Sequence, residues 1–340
     1  MPNLLFLGTP QDSIPAMARA VSLQYSVFAV DGDPASKGLA WVKKWGSEAA
    51  QASVYDFHWI HKTILDNGWH IDGVLAVGTD VGPVVSLVSH ALGLPHVSYH
   101  VSKLSWDKVE LKKILSRDGI SVPGFAEIVV KPPDGRGSRG VSIVSASNLW
   151  GTEWAEAKRN SPTGRVMCEE WIGGPGISAE SIVWDSEIVF VGSTDRVYSN
   201  SLTIEEGGRG PSQYDGPWLK ELTYRVVQAV QLKRGSIKLD IVLRDGDVTR
   251  PVILESAIGR LGGGYNFNYL EKSFGVNFLE MAFATYCGQD PRPLMRVGKG
   301  CHVAGRYEMN GNPSRNGERG AFRMVTGKTR EEAERKLCKH

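Results

Sequence analysis

The sequence predicts a mixed α/β and α+β protein, with a parallel α/β unit over residues 1 to 98 and a β-rich remainder in two parts, 99 to 168 and 169 to 340. Three observations predict it. Short apolar runs alternate with helical spacing through the first hundred residues. The pattern turns β-rich after Pro123. A length of 340 residues also exceeds the ~250 to 300 that one hydrophobic core fills.

Leu4 to Leu7 is an apolar strand ended by Gly8-Thr9-Pro10, Ile14 to Val21 has helical spacing, and Ser26 to Val30 is a second strand ending in the turn Asp31-Gly32-Asp33-Pro34. Ligands of open α/β sheets gather at such carboxyl ends. Because Gly8-Thr9-Pro10 is not GxGxxG, it reads as a structural turn rather than a dinucleotide site. Gly73 to Val77 is a buried strand, and Val81 to Leu92 a helix closed by Gly93 with Pro95 beyond. Trp106 to Arg117 is a charged helix that stops at Asp118-Gly119. Strands are expected at Ala126 to Val130, Val141 to Val144, Val166 to Glu170, Ser178 to Val183, Ile188 to Gly192, Ile237 to Leu243 and Val252 to Glu255. Helices are expected at Thr223 to Leu232 and Phe278 to Tyr286, and Thr329-Arg330-Glu331-Glu332 reads as a capping box opening a final helix.

The chain is 41% hydrophobic and 22% charged, an ordinary globular composition. With 39 Lys and Arg against 37 Asp and Glu, its formal charge is +2, and no long basic run is present. Nucleic acid and anionic membrane are therefore not expected as main partners, and a small molecule is. The apolar stretch Val74 to Leu94 is interrupted by Asp80, Pro83 and His90, short of the roughly 18 residues a span requires. Met1 to Gln11 has no basic segment ahead of its apolar run and no cleavage site, so a cytoplasmic protein is expected. Cys168, Cys287, Cys301 and Cys338 match neither zinc nor CxxC spacing and read as reduced thiols.

Three constellations carry chemistry. The first is the lysine strand Ile128-Val129-Val130-Lys131 followed by a loop containing Gly135, Arg136, Gly137, Ser138, Arg139 and Gly140. Glycines admit backbone N–H groups to phosphate oxygens, Ser138 adds a donor, and Lys131 and Arg139 add charge. It lacks the GxxxxGK[ST] pattern of a P-loop. The second is a pair of acidic strand ends, Asp240 and Glu255, joined through Asp245-Gly246-Asp247. An acidic group in an apolar strand needs a positive partner, either a nearby Arg or Lys or a hard cation such as Mg²⁺ shared with phosphates, and the metal reading is preferred. The third is Cys168-Glu169-Glu170-Trp171-Ile172-Gly173-Gly174, a strand end that presents backbone and apolar groups to a purine.

In this order the pieces resemble the ATP-grasp superfamily, in the branch of the carbamoyl-phosphate synthase large chain and the ATP-grasp amino-acid ligases. The matching segments are Asp72 to Asp80, Leu92-Gly93-Leu94-Pro95, Trp106-Asp107-Lys108 and Asp118 to Pro123. They continue with Val129 to Pro132, Gly135 to Val141, Glu169 to Ile172, Ser178-Ala179-Glu180, Asp240, Glu255, Arg260-Leu261-Gly262-Gly263-Gly264 and Phe274 to Asn277. The resemblance implies an ATP-grasp fold with an N-terminal pre-ATP-grasp domain, a small lid and a C-terminal domain holding ATP and Mg²⁺ or Mn²⁺. Lys108 and Lys131 would contact phosphates, and Gly135 to Gly140 would form the flap. Glu169, Glu170, Trp171 and Ile172 would line the adenine pocket, and Glu180 would lie beside the ribose or triphosphate. Asp240 and Glu255 would hold the metal. Arg260, Lys131 and Arg139 would carry catalysis, with Arg260, Gly263 and Gly264 facing substrate.

Three departures stand out. Only seven residues separate Pro123 from Lys131, so a smaller lid is expected. Glu255-Ser256-Ala257-Ile258-Gly259-Arg260 has one residue more than the family's Glu-x-Asn-x-Arg and no Asn, and Gly176 stands where an acidic residue is common. The implied function is an ATP-dependent carboxylate-amine ligase forming an acyl phosphate from a small, amino-acid-like acid. An ATP-grasp kinase and a non-catalytic nucleotide-binding module are the alternatives. Arg196, Arg209 and the segment Asn200 to Gly216 are expected to select the carboxylate and amine substrates, because long loops on rigid scaffolds carry such selection. A homodimer is compatible with this reading.

Overall fold

The computed structural model describes residues 1 to 45, 48 to 123, 129 to 135, 138 to 144, 151 to 198, 205 to 263, 266 to 309 and 319 to 338. The chain opens as β1 (Asn3–Leu7), α1 (Ile14–Ser22), β2 (Ser26–Asp31), α2 (Lys37–Lys44), β3 (Ala49–Gln51), α3 (Phe57–Asp66), β4 (Gly73–Leu75) and α4 (Gly82–Ala91). Its four strands are parallel in the order β3-β2-β1-β4. Leu4 and Phe6 of β1 face one core while Leu5 and Leu7 face another that includes Ile60 and Ile64 of α3 and Val84, Val85 and Val88 of α4. Burial on both faces is why this strand reads as a continuous apolar run rather than an alternation. Sequence periodicity misses α2, β3 and α3. Helix α3 buries only Ile60 and Ile64 and leaves Trp59 and Leu65 exposed, which blurs its apolar stripe.

Two helices follow, α5 (Tyr99–Lys103) and α6 (Lys108–Arg117). Helix α6 starts two residues later than the expected Trp106, because the Asp107 carboxylate accepts from the Val109 and Glu110 amides at 3.2 and 3.1 Å. A small antiparallel sheet, β5 (Val129–Lys131), β6 (Ser142–Ile143) and β7 (Met167–Glu169), has the order β6-β5-β7. It packs on α7 (Gly151–Arg159) through Val130, Val144 and Ala157. Of the strand expected at Ala126 to Val130, positions 126 to 128 lie outside the described residues.

The remaining chain builds a seven-stranded antiparallel sheet. Its elements are β8 (Gly176–Trp184), β9 (Glu187–Tyr198), β10 (Glu205–Gly210), α8 (Pro217–Val230), β11 (Gly235–Leu243), β12 (Pro251–Ile258), α9 (Asn266–Phe274), α10 (Phe278–Tyr286), β13 (His302–Met309), β14 (Arg319–Gly327) and α11 (Arg330–Cys338). The strand order is β12-β11-β8-β9-β10-β13-β14. One face carries α8 and α6, with Ile177, Ala179, Leu239 and Ile241 meeting Leu111, Leu222 and Val226. The other face meets α9, α10 and the first sheet, where Ile182 and Phe190 join Phe6, Phe278 and Phe283 in one core.

The expected Ile188 to Gly192 strand is a fragment of the twelve-residue β9. Strands β10, β13 and β14 have no counterpart among the expected ones; Glu205-Glu206-Gly207-Gly208-Arg209-Gly210 has no strand propensity of its own and is ordered by ladders to β9 and β13. At the last helix the Glu332 amide donates to Thr329 Oγ1 at 3.2 Å, one half of the expected capping box, while the Glu332 carboxylate accepts from the Lys328 amide at 2.8 Å. Among the described residues no helix is long and apolar enough to cross a membrane.

Candidate functional site

Side chains alternate along a strand, so Lys238 and Asp240 share one face of β11. The antiparallel register sets Asp240 opposite Glu255 on β12 and Ser178 on β8, and sets Lys238 opposite Glu180. Just past this pair the register slips, Ile241 facing Ile253, so that Leu254 forms a bulge of the kind that re-aims side chains beside functional sites. Asp240 is 6% exposed while Glu255 is 46% exposed. Asp240 Oδ1 takes Lys238 Nζ at 2.7 Å and Arg196 Nη2 at 2.9 Å, and Lys108 Nζ stands 3.3 Å from Glu255 Oε2.

These neighbours divide the two carboxyls. Burial raises Asp240 above the ordinary aspartate value, opposed by Arg196 and Lys238. Burial acts on Glu255 in the same sense, but Lys108, a hydrogen bond with Asp240, Lys238 and Lys131 outweigh it and hold Glu255 well below the ordinary range. The ionised form of Glu255 is thus favoured, and its side chain is the more exposed of the two. Two in-register carboxylates of this kind fit a hard divalent cation that completes its shell with other oxygens. Among the described residues, no group of three or more His, Cys, Asp or Glu gathers to hold a metal without such help.

The lysines come from three directions. Lys108 is the first residue of α6; its amide donates to Pro133 O at 3.2 Å and its Nζ to Gly135 O at 2.8 Å. Lys112, one helical turn on, is 2% exposed and joins Lys131 of β5 on the carboxylate of Glu169, itself 3% exposed. Burial first, then the nearby Lys131 charge, lowers Lys112 to about 8. Sequence reading misses Lys112, although its i+4 spacing from Lys108 is a usable signal. Glu170 turns the other way and accepts from Arg244 at 2.7 Å.

The segment after Glu169 is pinned to the end of β11. Ile172 is buried with Val242 and Val252, and the Leu243 amide donates to Pro175 O at 3.0 Å. Gly174 lies so close to Leu243 O, 2.0 Å from where a Cβ would stand, that only glycine fits. Trp171 is half-buried beside this turn. In the loop after β5, Gly135, Ser138, Arg139 and Gly140 are described, whereas Gly137 lies outside the described residues. Arg139 is exposed.

Arg260 leaves β12 and pairs with Asp80, in the segment between β4 and α4. The next residue, Leu261, continues beyond β4 by a parallel bridge to Val77, its amide donating to Ala76 O at 3.1 Å. Gly262 then passes over Glu180: a Cβ there would stand 2.0 Å from Glu180 Oε1, which also accepts from Asn266 Nδ2 at 3.0 Å. Gly263 abuts Gly78, and Gly264 lies outside the described residues. On the far side of Asp80, at the carboxyl ends of the parallel strands, is a cavity of about 870 Å³ lined by Gly8, Asp31, Lys37, Thr79, Asp80 and Arg139, among others. That is a volume suited to a small molecule.

Arg196 stands on the Asp240 face. Arg209 does not: its register with Asp195 puts it on the opposite face of the sheet, where it pairs with Glu334 of α11 at 3.0 Å. The structure thus brings Arg196, and not Arg209, to the Asp240 face, because strand alternation sends Arg196 and Asp195 to opposite faces. Positions 199 to 204 of the expected selection segment lie outside the described residues.

No family model matches the chain, and no curated protein sequence matches it. Solved structures do. Phosphoribosylglycinamide synthetase from Anaerococcus prevotii superposes with a TM-score of 0.77 at 14% identity, covering 99% of this chain and 97% of that one. L-amino acid ligase from Bacillus licheniformis gives 0.73 at 17% identity over 92% and 81% of the two chains. N5-carboxyaminoimidazole synthetase from Staphylococcus aureus, complexed with ADP, gives 0.73 at 13% identity over 99% and 96%. Likeness of this extent at such low identity establishes that the chain has the ATP-grasp fold its motifs led us to expect.

Proposed function

We infer that this chain is an ATP-dependent carboxylate-amine ligase that uses Mg²⁺ or Mn²⁺. The observation that carries the reading is the in-register pair Asp240 and Glu255, faced by Lys108 and backed by Lys238 and Arg196, at the meeting of the two sheets and the small one. The similar structures named above include an amino acid ligase and two synthetases, one of them with ADP bound.

In this reading Glu169 to Ile172 holds the adenine, and Lys108 and Lys131 hold the phosphates with Ser138 and Arg139. Lys131 leaves Glu169 for the nucleotide, while Lys112 stays to neutralise that carboxylate. A divalent cation held by Asp240 and Glu255 would offset the charge that builds on the transferring phosphoryl oxygens. A substrate carboxylate oxygen, oriented by Arg260, attacks the γ-phosphorus and ADP departs. The amine then attacks the acyl carbon, and phosphate leaves as the amine loses its proton. The cavity beside Asp80 and Arg260 would admit these substrates, and its mixture of Asp31 and Asp80 with Lys37 and Arg139 suits a zwitterion such as an amino acid. Dry, fixed charges are what this chemistry requires.

A screen of amino-acid pairs with ATP, reading ADP release and amide in the product, tests the reading. Amide formed in step with ADP supports it. A phosphorylated acid without amide would make the chain a kinase, and nucleotide binding without turnover on any pair would make it a binding module.

Two further results are expected. ATP is expected to bind usefully only with Mg²⁺ or Mn²⁺ present, since a cation shared between the Asp240 and Glu255 carboxyls and the phosphates is what would join the nucleotide to this face of the sheet. Calorimetry showing equal affinity in excess chelator would remove the metal role of Asp240 and Glu255. Lys131→Met is expected to weaken nucleotide binding by roughly 10- to 100-fold, the loss of one charge-assisted contact; unchanged affinity in a folded variant would return Lys131 to a structural partner of Glu169.

A further inference from the structure

Lys238 belongs to no motif of the sequence reading, yet it stands at the centre of the acidic cluster. Its Nζ lies 2.7 Å from Asp240 Oδ1, and its side chain is only 12% exposed. Across one ladder it faces Glu180 and across the other Ala257. Ala257 is the residue two beyond Glu255, where Glu-x-Asn-x-Arg would place an amide oxygen for a cation. Alanine offers none. The stem of Lys238 also fills the space beneath Gly262, whose Cβ would stand 2.8 Å from Lys238 Cδ. Arg196 Nη2 takes the same oxygen of Asp240 at 2.9 Å, so two fixed cations converge on Oδ1.

We propose that the Lys238 ammonium, seconded by Arg196, stands where a second divalent cation would, so that the nucleotide site holds a single metal ion between Asp240 and Glu255. The proposal rests on the ligase reading but concerns only how positive charge is divided between protein and metal. A lysine and a divalent ion on one carboxylate oxygen repel each other strongly at this depth. A donor oxygen is also missing at Ala257, and Glu180, the other carboxylate within reach, is engaged by Asn266 and by the Gly262 amide. What an ammonium supplies is permanent: it needs no metal in solution, but it gives one charge where a divalent ion gives two.

Mn²⁺ stoichiometry tests this without turnover. The full chain is titrated with Mn²⁺ in the presence of the β,γ-imido analogue of ATP, and free Mn²⁺ is read by electron paramagnetic resonance. One tightly bound Mn²⁺ per chain is expected, and Lys238→Arg should keep that count. The double variant Lys238→Ala/Ala257→Asn, which removes the ammonium and supplies the amide, should gain a second Mn²⁺ with affinity raised at least roughly tenfold over any second site in the wild type. Two Mn²⁺ of similar affinity in the wild type would overturn the proposal while leaving the ligase reading intact. No nucleotide-dependent Mn²⁺ at all would overturn both. A folded double variant that gains no second site would show that Lys238 is not what excludes it; should that variant not fold, the wild-type count decides.

Discussion

Glu255→Gln is expected to lower turnover by a factor on the order of 10² or more, several kcal/mol in the barrier, while thermal unfolding should hardly move. The substitution keeps the size of the side chain and removes its charge. Glu255 is the member whose ionised form is favoured and the more exposed of the two, so its charge is what a cation would meet there. Folding is expected to be indifferent because the ion pair that the substitution removes, with Lys108 at 3.3 Å, involves a glutamate that is nearly half exposed, and Lys108 keeps its bond to Gly135 O. Substrate-dependent ADP release and melting are measured on the same two proteins. Activity within about threefold of wild type, where a metal ligand should cost far more, would sink the catalytic assignment.

Glu169→Gln has the opposite signature. It should cost about 3 to 5 kcal/mol of folding stability, because it leaves the ammonium of Lys112 buried without a counter-charge and beside that of Lys131. Removing one partner of a buried pair is expensive; removing both is not. The triple variant Lys112→Met/Lys131→Met/Glu169→Leu is accordingly expected to recover most of the loss, since apolar side chains of similar volume replace the whole desolvated group. Urea unfolding of the three proteins decides it. A single-variant loss under about 1 kcal/mol would mean that the pair is solvated in solution.

Asp240 and Glu255 are legible in the sequence because a carboxylate inside a run of Ile, Leu and Val is costly without a partner, although they stand inside β11 and β12 and not at the strand ends expected. Lys238 carries the same signal, two residues before Asp240 and therefore on its face, but the residues it meets come from other strands. Arg196 and Arg209 look alike in sequence, both being arginines on either side of a polar stretch. Which of them reaches Asp240 depends on the ladder between β9 and β10, whose register slips between Glu205 and Gly207 within a segment that carries no apolar alternation. Asp80 is legible as part of a segment, but nothing local marks it as the partner of Arg260, 180 positions away.

By itself the sequence determined the parallel opening unit, whose apolar strands and Gly and Pro turns are local signals, and the order of the lysine loop, the Glu169 to Ile172 segment and the acidic strands that marks the ATP-grasp fold. Tertiary structure alone decided the partners. It paired Lys112 and Lys131 on Glu169, turned Arg209 to the far face, extended β4 with Leu261 so that Arg260 meets Asp80, and lodged Lys238 between Glu180 and Ala257. The physical reason is that local structure follows from side-chain period and turn chemistry within a few residues. Ion pairs and strand registers depend on which distant segments share a face, and that is settled only when the cores on both sides of the sheets close.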